Sequence, residues 1–403
     1  MPASQYFKAL DSWRGIAACL VATLHFPGYS HLIDFPFIRN SWLWVDFFFI
    51  LSGFIIATKY QKPLSEGFSV TRFMLLRIGR LLPLYFFLMF VIFGLEALHW
   101  LVDISIYDGN SNAFPNSTYN LFNLVANFSL AAGLGIPNTA TFLTTAWSIN
   151  AEFYTYLIFS IIVIKLHKKY WIAILLSILI APIYILYANL NEVGPRNLAG
   201  PVWFIRCIYS FSFGVLLSNI IPKFRNSFAE VLKNKNLFTL AEVISCCLII
   251  IFISVVNYNY AYGYILAPYF FAPLILIFSL ESGAISKFLI HKPFLYLGKL
   301  SYSIYLVHWP FYDTLKAFTM LAKKTFGVEF FTSFEKIKTL DLVLWPKLLM
   351  GTELWQGDLF YVFAITTVIF LSGLTFKYIE TPTRSRFKKF IARTYSHKSK
   401  FHS

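Results

Sequence analysis

The sequence predicts an all-α, polytopic membrane helix bundle. Of its 403 residues, 58% are hydrophobic and only 13% are charged, a composition too apolar for a soluble domain. Apolar runs of about 17 to 25 residues, long enough to cross a bilayer as helices, recur along the chain. About ten transmembrane helices are expected: 9–27, 42–59, 82–101, 143–165, 170–188, 201–220, 238–257, 262–280, 298–318 and 357–378. We therefore divide the chain into a membrane domain, residues 1–380, and a basic cytoplasmic tail, residues 381–403.

The distribution of basic residues predicts the orientation in the membrane. With a cytoplasmic N-terminus, 25 of the 34 Lys and Arg residues fall in cytoplasmic segments, as the positive-inside rule requires. The stretch 102–142 contains no Lys or Arg, which favours an outer location. Both termini are therefore expected in the cytoplasm. The protein is expected in the inner or plasma membrane. The excess of basic residues on the cytoplasmic side, where they interact with anionic membrane lipids, accounts for most of the net charge of +15. No nucleic acid is therefore expected as a partner.

Motifs of several common enzyme classes are missing from the sequence. The eight histidines form no HExxH motif and no pair with the spacing of a zinc site, so no metal is expected. A Gly-rich phosphate loop, a GxSxG elbow and an internal repeat are also missing. No bound cofactor is therefore expected, and no motif specifies an oligomeric state.

The first apolar segment carries Arg14 and His25. Eleven positions correspond to about three helical turns and ~16 Å, so the two side chains share nearly the same face. An arginine at bilayer depth costs roughly 2.5 to 3.5 kcal/mol on insertion scales, and such a stripe usually faces a protein interior or a watery cavity. Both residues are therefore candidate functional residues.

Two acidic residues, Asp46 and Glu152, fall on the second and fourth predicted spans. A carboxylate at membrane depth either binds a proton or needs a partner, for which Arg14, Arg206 and His25 are candidates. Two interpretations stay open. The acids form structural ion pairs between helices, or they orient a catalytic imidazole.

The segment that follows the second span, residues 68–82, reads FSVTRFMLLRIGRLL. Arg77 and Arg80 are three positions apart and share a helical face. A basic amphipathic helix of this kind lies at the interface on anionic headgroups, or its guanidinium groups bind the phosphates of a ligand. Further along, His308 precedes Pro310, where the missing backbone donor predicts that the helix kinks or opens beside a cavity.

Taken together, these segments resemble the acyltransferase-3 family of integral membrane O-acyltransferases, which act on cell-surface carbohydrates. The resemblance runs from Leu10 to Arg384 and rests on six blocks that occur in the family's order. The blocks are LDSWRGIAACLVATLHF at 10–26, VDFFFILSGFII at 45–56, RIGR at 77–80, WSINAEFYTY at 147–156, SYSIYLVHWP at 301–310 and YIETPTR at 378–384. The opening block departs from the family's usual LDGLRG at Ser12 and Trp13. We expect the stand-alone form, without a fused hydrolase-like domain.

The resemblance implies transfer of an acyl group, most often acetyl, from cytoplasmic acyl-coenzyme A to a hydroxyl of a surface or exported polysaccharide. His25 would serve as general base or as acyl carrier. Glu152 or Asp46 would orient it, and Arg14 would stabilise the thioester oxyanion or a phosphate.

The same resemblance implies that Arg77 and Arg80 bind the phosphates of the donor. Four further residues are expected to line the cavity: Ser52, Ser148, Tyr302 and His308. Two alternatives remain at this point. One is a flippase or exporter of glycans or lipid-linked saccharides, in which the polar stripe lines a transport path. The other is a non-enzymatic scaffold or receptor whose partner surface is the 319–356 loop, which would equally serve as a lid.

Overall fold

The computed structural model describes residues 7–106, 114, 119–136, 142–190, 201–227, 234–256, 261–326, 331–332, 349–350 and 353–399. Apart from short connections, these residues are helical, with one two-residue antiparallel strand pair, β1 Phe331–Thr332 and β2 Leu349–Met350. The α-helices are α1 Lys8–His25, α2 Pro36–Arg39, α3 Trp44–Ser65, α4 Val70–Ile106, α5 Leu121–Phe128, α6 Trp147–Leu166, α7 Tyr170–Leu190, α8 Pro201–Ser227, α9 Lys235–Val255, α10 Tyr262–Ser279, α11 Ala284–Leu289, α12 Lys292–Phe326, α13 Leu354–Thr375 and α14 Thr381–Ser399. The predicted helical class is confirmed. Most of the 319–356 loop lies outside the described residues.

Each of the ten predicted spans falls on one of these helices. Seven runs of the described chain are long and apolar enough to cross a membrane: Ser41–Ser65, Val70–Leu101, Thr144–Leu190, Pro201–Arg225, Lys235–Val255, Tyr262–Ser279 and Leu354–Tyr395. The run Thr144–Leu190 contains both α6 and α7. Helices α1 and α12 are not among the seven because charged and other polar side chains lower the mean hydropathy of their sequences. The chain is a multi-pass membrane protein.

Helices α1 and α12 lie side by side and run in the same direction. A Cβ atom on Gly15 would lie 2.6 Å from the amide nitrogen of Gly298, and a Cβ on Gly298 would lie 2.3 Å from the carbonyl oxygen of Asp11. Ten residues further along both helices, His25 contacts His308. Because the two contacts keep the same offset in residue number, the helices stay in register over about 15 Å.

Helices α3 and α8 make a second close approach through glycine. A Cβ on Gly53 would lie 2.1 Å from the carbonyl oxygen of Phe211, and a Cβ on Gly214 would lie 1.9 Å from that of Ile50. Small residues let helix backbones approach in membrane proteins, where packing replaces the hydrophobic effect as the force between helices. This contact brings Asp46 of α3 against the start of α8.

Two prolines lie inside continuous helices. From Val70 onward, the basic segment 68–82 and the span 82–101 form one helix, α4, which passes through Pro83. Helix α12 likewise continues through Pro310 and does not open there. Proline is tolerated inside membrane helices because neighbouring helices and side chains satisfy the freed backbone groups.

The predicted tail is helical from Thr381 to Ser399, and this helix docks on the bundle. A π-helical turn, Phe376–Glu380, joins α13 to α14. Helix α14 packs against α4 so closely that a Cβ on Gly79 would lie 2.5 Å from the Cβ of Phe387. One helical turn further, Ile391 is only 2% exposed. The basic residues of the tail are thereby held next to those of α4.

We expect Gly214→Ala to destabilise the protein by about 1 to 3 kcal/mol, because the added methyl group collides with backbone atoms of α3. The matched control is Gly94→Ala in α4, where an added Cβ meets no atom within 4 Å. Alanine is the better helix former there by roughly 1 kcal/mol. Thermal unfolding of the purified variants measures both effects, and equal midpoints would contradict the packing argument.

Candidate active site

A cavity between α1, α3, α4, α6 and α12 collects most of the predicted site residues. It holds about 730 Å³ of empty volume, counting the space at its mouth. Six predicted residues line it: Arg14, Ser52, Arg80, Ser148, Glu152 and Tyr302. Apolar side chains of α3, among them Phe48 and Phe49, complete the wall. The cavity therefore joins cationic, anionic and hydroxyl groups inside an apolar bundle.

Glu152 belongs to a hydrogen-bonded chain along the cavity wall. The hydroxyl of Tyr156 donates to Glu152 Oε1 at 2.5 Å, and the Tyr156 oxygen lies 2.6 Å from Ser52 Oγ. Because a phenol has one proton to donate, the Ser52 hydroxyl must donate to Tyr156. The Ser52 hydroxyl is thereby linked to the Glu152 carboxylate through the hydroxyl of Tyr156. Sequence reasoning missed Tyr156, although its position four residues after Glu152 places it on the same helical face.

His25 and His308 form a hydrogen-bonded pair of imidazoles. His308 Nε2 lies 3.1 Å from His25 Nδ1, and the two ring planes are tilted by only 16°. His308 is fully buried, and its Nδ1 lies 2.9 Å from the carbonyl oxygen of Ile304. A carbonyl only accepts, so Nδ1 of His308 carries the proton and its Nε2 accepts from His25. His25 is thereby held as the tautomer whose Nε2 is the basic nitrogen.

Tyr305 connects the cavity to the histidine pair. It lines the cavity, its hydroxyl lies 2.7 Å from Ser148 Oγ, and its ring centroid is 6.0 Å from that of His308 in an edge-on contact. His308 itself is not among the lining residues. The sequence indicated His308 and Ser148 separately. Tyr305 contacts both residues because α6 lies next to α12, and no local sequence pattern predicts this contact between the two helices.

Asp46 pairs with Arg206, one of its three candidate partners. Arg206 donates from Nε at 2.9 Å and from a terminal nitrogen at 2.5 Å, and Ser210 Oγ donates to the same carboxylate at 3.0 Å. Asp46 is fully buried. The guanidinium also lies over the ring of Tyr264 at 4.2 Å. These contacts favour the structural interpretation of Asp46, and its catalytic role stays a prediction.

The three predicted arginines of the site have different surroundings. Arg14 forms an ion pair with Asp11 at 3.1 Å and lines the cavity, as Arg80 does. Arg77 is buried, donates to the Tyr60 hydroxyl at 3.0 Å and lies over the Tyr60 ring at 5.0 Å. Of Arg77 and Arg80, only Arg80 lines the cavity, and the binding of donor phosphates by the two residues stays a prediction.

Glu380, in the π-helical turn, is a further polar residue of this region that sequence reasoning did not single out. Its carboxylate accepts a hydrogen bond from Ser303 Oγ, and Thr375 Oγ1 donates to Ser303 Oγ at 3.1 Å. The YIETPTR block contained the signal, since it carries an acid next to the last predicted span. Among the described residues, no group of three or more His, Cys, Asp or Glu side chains is placed to hold a metal ion.

The fold and the cavity define a membrane-embedded protein with an internal polar site, and comparison with known families identifies its class. The chain matches the family described as Acyltransferase domain over residues 7–377. It therefore belongs to the acyltransferase-3 family, and the resemblance inferred from the six sequence blocks is confirmed.

Three curated relatives are similar to the chain. It is 23% identical over 322 residues to the peptidoglycan O-acetyltransferase OatA of Listeria monocytogenes, covering 76% of this chain and 49% of the relative. It is 24% identical over 327 residues to YrhL of Bacillus subtilis, whose description gives the same activity provisionally, covering 76% and 48%. It is 35% identical over 161 residues to "Protein 2 in picA locus" of Rhizobium radiobacter, covering 36% and 76%.

The chain spans about half the length of the first two relatives. No solved structure matches it. None of the three descriptions names transport, so the comparisons do not favour the flippase alternative.

We expect Arg206→Gln to destabilise the protein by about 3 to 5 kcal/mol, because the substitution leaves the Asp46 carboxylate buried without its charged partner. Lys62→Gln is the control. It removes an exposed ion pair with Glu66, at 3.8 Å, and should change stability little. Yield of monodisperse protein and the thermal midpoint report the difference. A wild-type midpoint for Arg206→Gln would refute the structural role of the pair.

Proposed function

We propose that the protein is a membrane O-acetyltransferase that moves an acetyl group from cytoplasmic acetyl-coenzyme A to a hydroxyl of a cell-surface glycan. The observation that carries the proposal is the cavity. Arginines lie on its wall, and Tyr305, also on the wall, contacts the histidine pair. The names of two relatives make peptidoglycan the first acceptor to test. The inner or plasma membrane is the proposed location.

The proposed topology has ten membrane crossings and two cytoplasmic termini. In that order α1 and α12 are the first and ninth spans, which cross the membrane in the same direction, in agreement with their parallel contact. The topology also puts the start of α4 and all of α14 on the cytoplasmic side, where the two helices pack together. Their many basic residues agree with the positive-inside rule.

The donor would enter from the cytoplasmic side, where Arg80 would bind its phosphates and the acyl arm would extend along the cavity. Arg14 lies on the same helix as His25, about three turns away. It would stabilise the negative charge that develops on the thioester oxygen or on a phosphate. Arg77 would contribute by holding the start of α4 against Tyr60.

His25 would act as the general base. Its Nε2 takes the proton of the acceptor hydroxyl while that oxygen attacks the thioester carbonyl, and the departing thiolate recovers the proton from the imidazolium. His308 would position the ring and stabilise its protonated form through the bond to Nδ1. Glu152, joined to Tyr156 and Ser52, would serve as the polar wall that orients the reacting groups.

We expect His25→Ala to lower acetyl transfer by roughly 10² to 10⁴ because a general base is lost. The control is His31→Gln, which changes an exposed histidine bonded to Asp358 and should retain activity. The assay is incorporation of labelled acetyl from acetyl-coenzyme A into membrane glycan, in membranes that hold equal amounts of folded protein. Activity that survives in His25→Ala would exclude the base assignment. No incorporation by the wild type would exclude this donor and acceptor.

We expect His308→Gln to lower kcat about 10- to 100-fold, as is usual when a group that orients a reactive side chain is replaced. The KM for acetyl-coenzyme A should stay unchanged, because His308 is buried outside the cavity wall. Initial rates at varied donor concentration separate the two parameters. A raised KM with unchanged kcat would assign His308 to substrate binding instead.

A further inference from the structure

The C-terminal helix α14 is anchored along one face to the start of α4. Phe387 packs on Gly79, Ile391 is buried, and the ring of Tyr395 lies 5.5 Å from the Arg72 guanidinium. These α14 residues are spaced four apart, so they form a single helical stripe. The stripe fixes both the position and the rotation of α14 on the bundle.

This docking directs two basic residues of α14 toward the arginines of α4. Arg384 interacts electrostatically with Arg77, Arg80 and Arg14. Lys388, one turn later, interacts with Arg384 and Arg77 and with Lys59 at the end of α3. Arg384 and Lys388 are both exposed, so they remain accessible to a ligand from the aqueous side. Positive charge from four helices therefore converges at one place.

The protein itself neutralises only part of this charge. Glu380 interacts with Arg14, Arg80 and Arg384, and Arg14 also pairs with Asp11 at 3.1 Å. Glu152 interacts with Arg77, so three carboxylates face six basic side chains. In the described part of the chain, no ion pair within 4.0 Å involves Arg80 or Arg384. Like charges held together by a rigid helix contact destabilise the fold unless an anion binds between them. A ligand with several negative charges fits this arrangement.

We propose that α14 forms one wall of the donor site, in which Arg384 and Lys388 bind the phosphate groups of the acyl donor together with Arg80. The inference rests on the proposed function, since it names the part of this chain that recognises the nucleotide end of acyl-coenzyme A. A forked guanidinium suits a phosphate oxygen pair, and several such groups suit a ligand with more than one phosphate. Because Arg14 and Arg80 also line the cavity, the acyl arm enters it directly from this site.

Equilibrium binding of coenzyme A to the purified full-length protein tests the proposal. The protein is placed in nanodiscs of phosphatidylcholine, with or without phosphatidylglycerol, and compared with Arg384→Gln and Arg386→Gln. Arg386 lies two positions from Arg384 and faces another side of α14, so its variant removes the same charge without touching the cluster. We expect Arg384→Gln to weaken coenzyme A binding about tenfold, the usual effect of losing one charge-assisted hydrogen bond, and Arg386→Gln to leave it unchanged.

Lys388→Gln is the second variant, because Lys388 is exposed and its loss leaves the α14 contact with α4 intact. We expect it to weaken coenzyme A binding at least threefold. Arg384→Lys should restore part of the affinity, since it returns the charge without the fork. Thermal midpoints equal to the wild-type value in all variants show that the changes in affinity are not caused by unfolding.

The outcomes separate this inference from the proposed function. Wild-type affinity in both Arg384→Gln and Lys388→Gln would overturn the α14 site and leave the acetyltransferase intact. Loss of bound phosphatidylglycerol in Arg384→Gln with unchanged coenzyme A binding would assign the cluster to lipid and also overturn it. A wild type that binds inorganic pyrophosphate through Arg384 but not coenzyme A would support the anion site and reject the proposed donor. A wild type that binds neither would reject both.

Discussion

The arrangement of the site depends on the close approach of helix backbones at glycine. Gly15 and Gly298 let α1 and α12 touch, and Gly53 and Gly214 do the same for α3 and α8. Close backbones shorten the distance between side chains further along the same helices, where polar groups then reach hydrogen-bond distance. In an apolar solvent these contacts cannot be replaced by a general hydrophobic collapse, because lipid chains are as apolar as the helix surfaces.

The charged residues of the bundle interior include those that have a charged protein partner and those that lie on the cavity wall. Asp46 and Arg206 satisfy one another without the cavity, and the cost of burying them is offset only while both are present. Glu152 and Arg80 instead face the cavity, where their charge is available to a substrate. Because a charge at bilayer depth is costly, these side chains lie either in structural ion pairs or on the wall of the cavity.

The sequence was sufficient to predict the helices and most of the polar residues of the cavity wall, because both depend on local features. Apolar length specifies a span, and a polar side chain within a span indicates an interior position, as for Arg14 and Ser52. Pairings between helices could not be predicted in this way. Whether Asp46 met Arg14, Arg206 or His25 depended on helix contacts that no local pattern encodes. The docking of α14 was missed for a related reason. Its composition is that of a solvated tail, and its few apolar residues are recognised as a packing face only once α14 is seen against Gly79.

The parallel contact between α1 and α12 has a consequence for how this protein changes over evolutionary time. Ten residues separate Gly15 from His25, and ten separate Gly298 from His308, so the two segments are matched in length. One inserted residue in either segment would rotate its imidazole by about 100° and move it by about 1.5 Å, which separates the histidines. An insertion in one segment is therefore tolerable only with an equal insertion in the other. Two segments nearly three hundred residues apart in the sequence must therefore keep the same length.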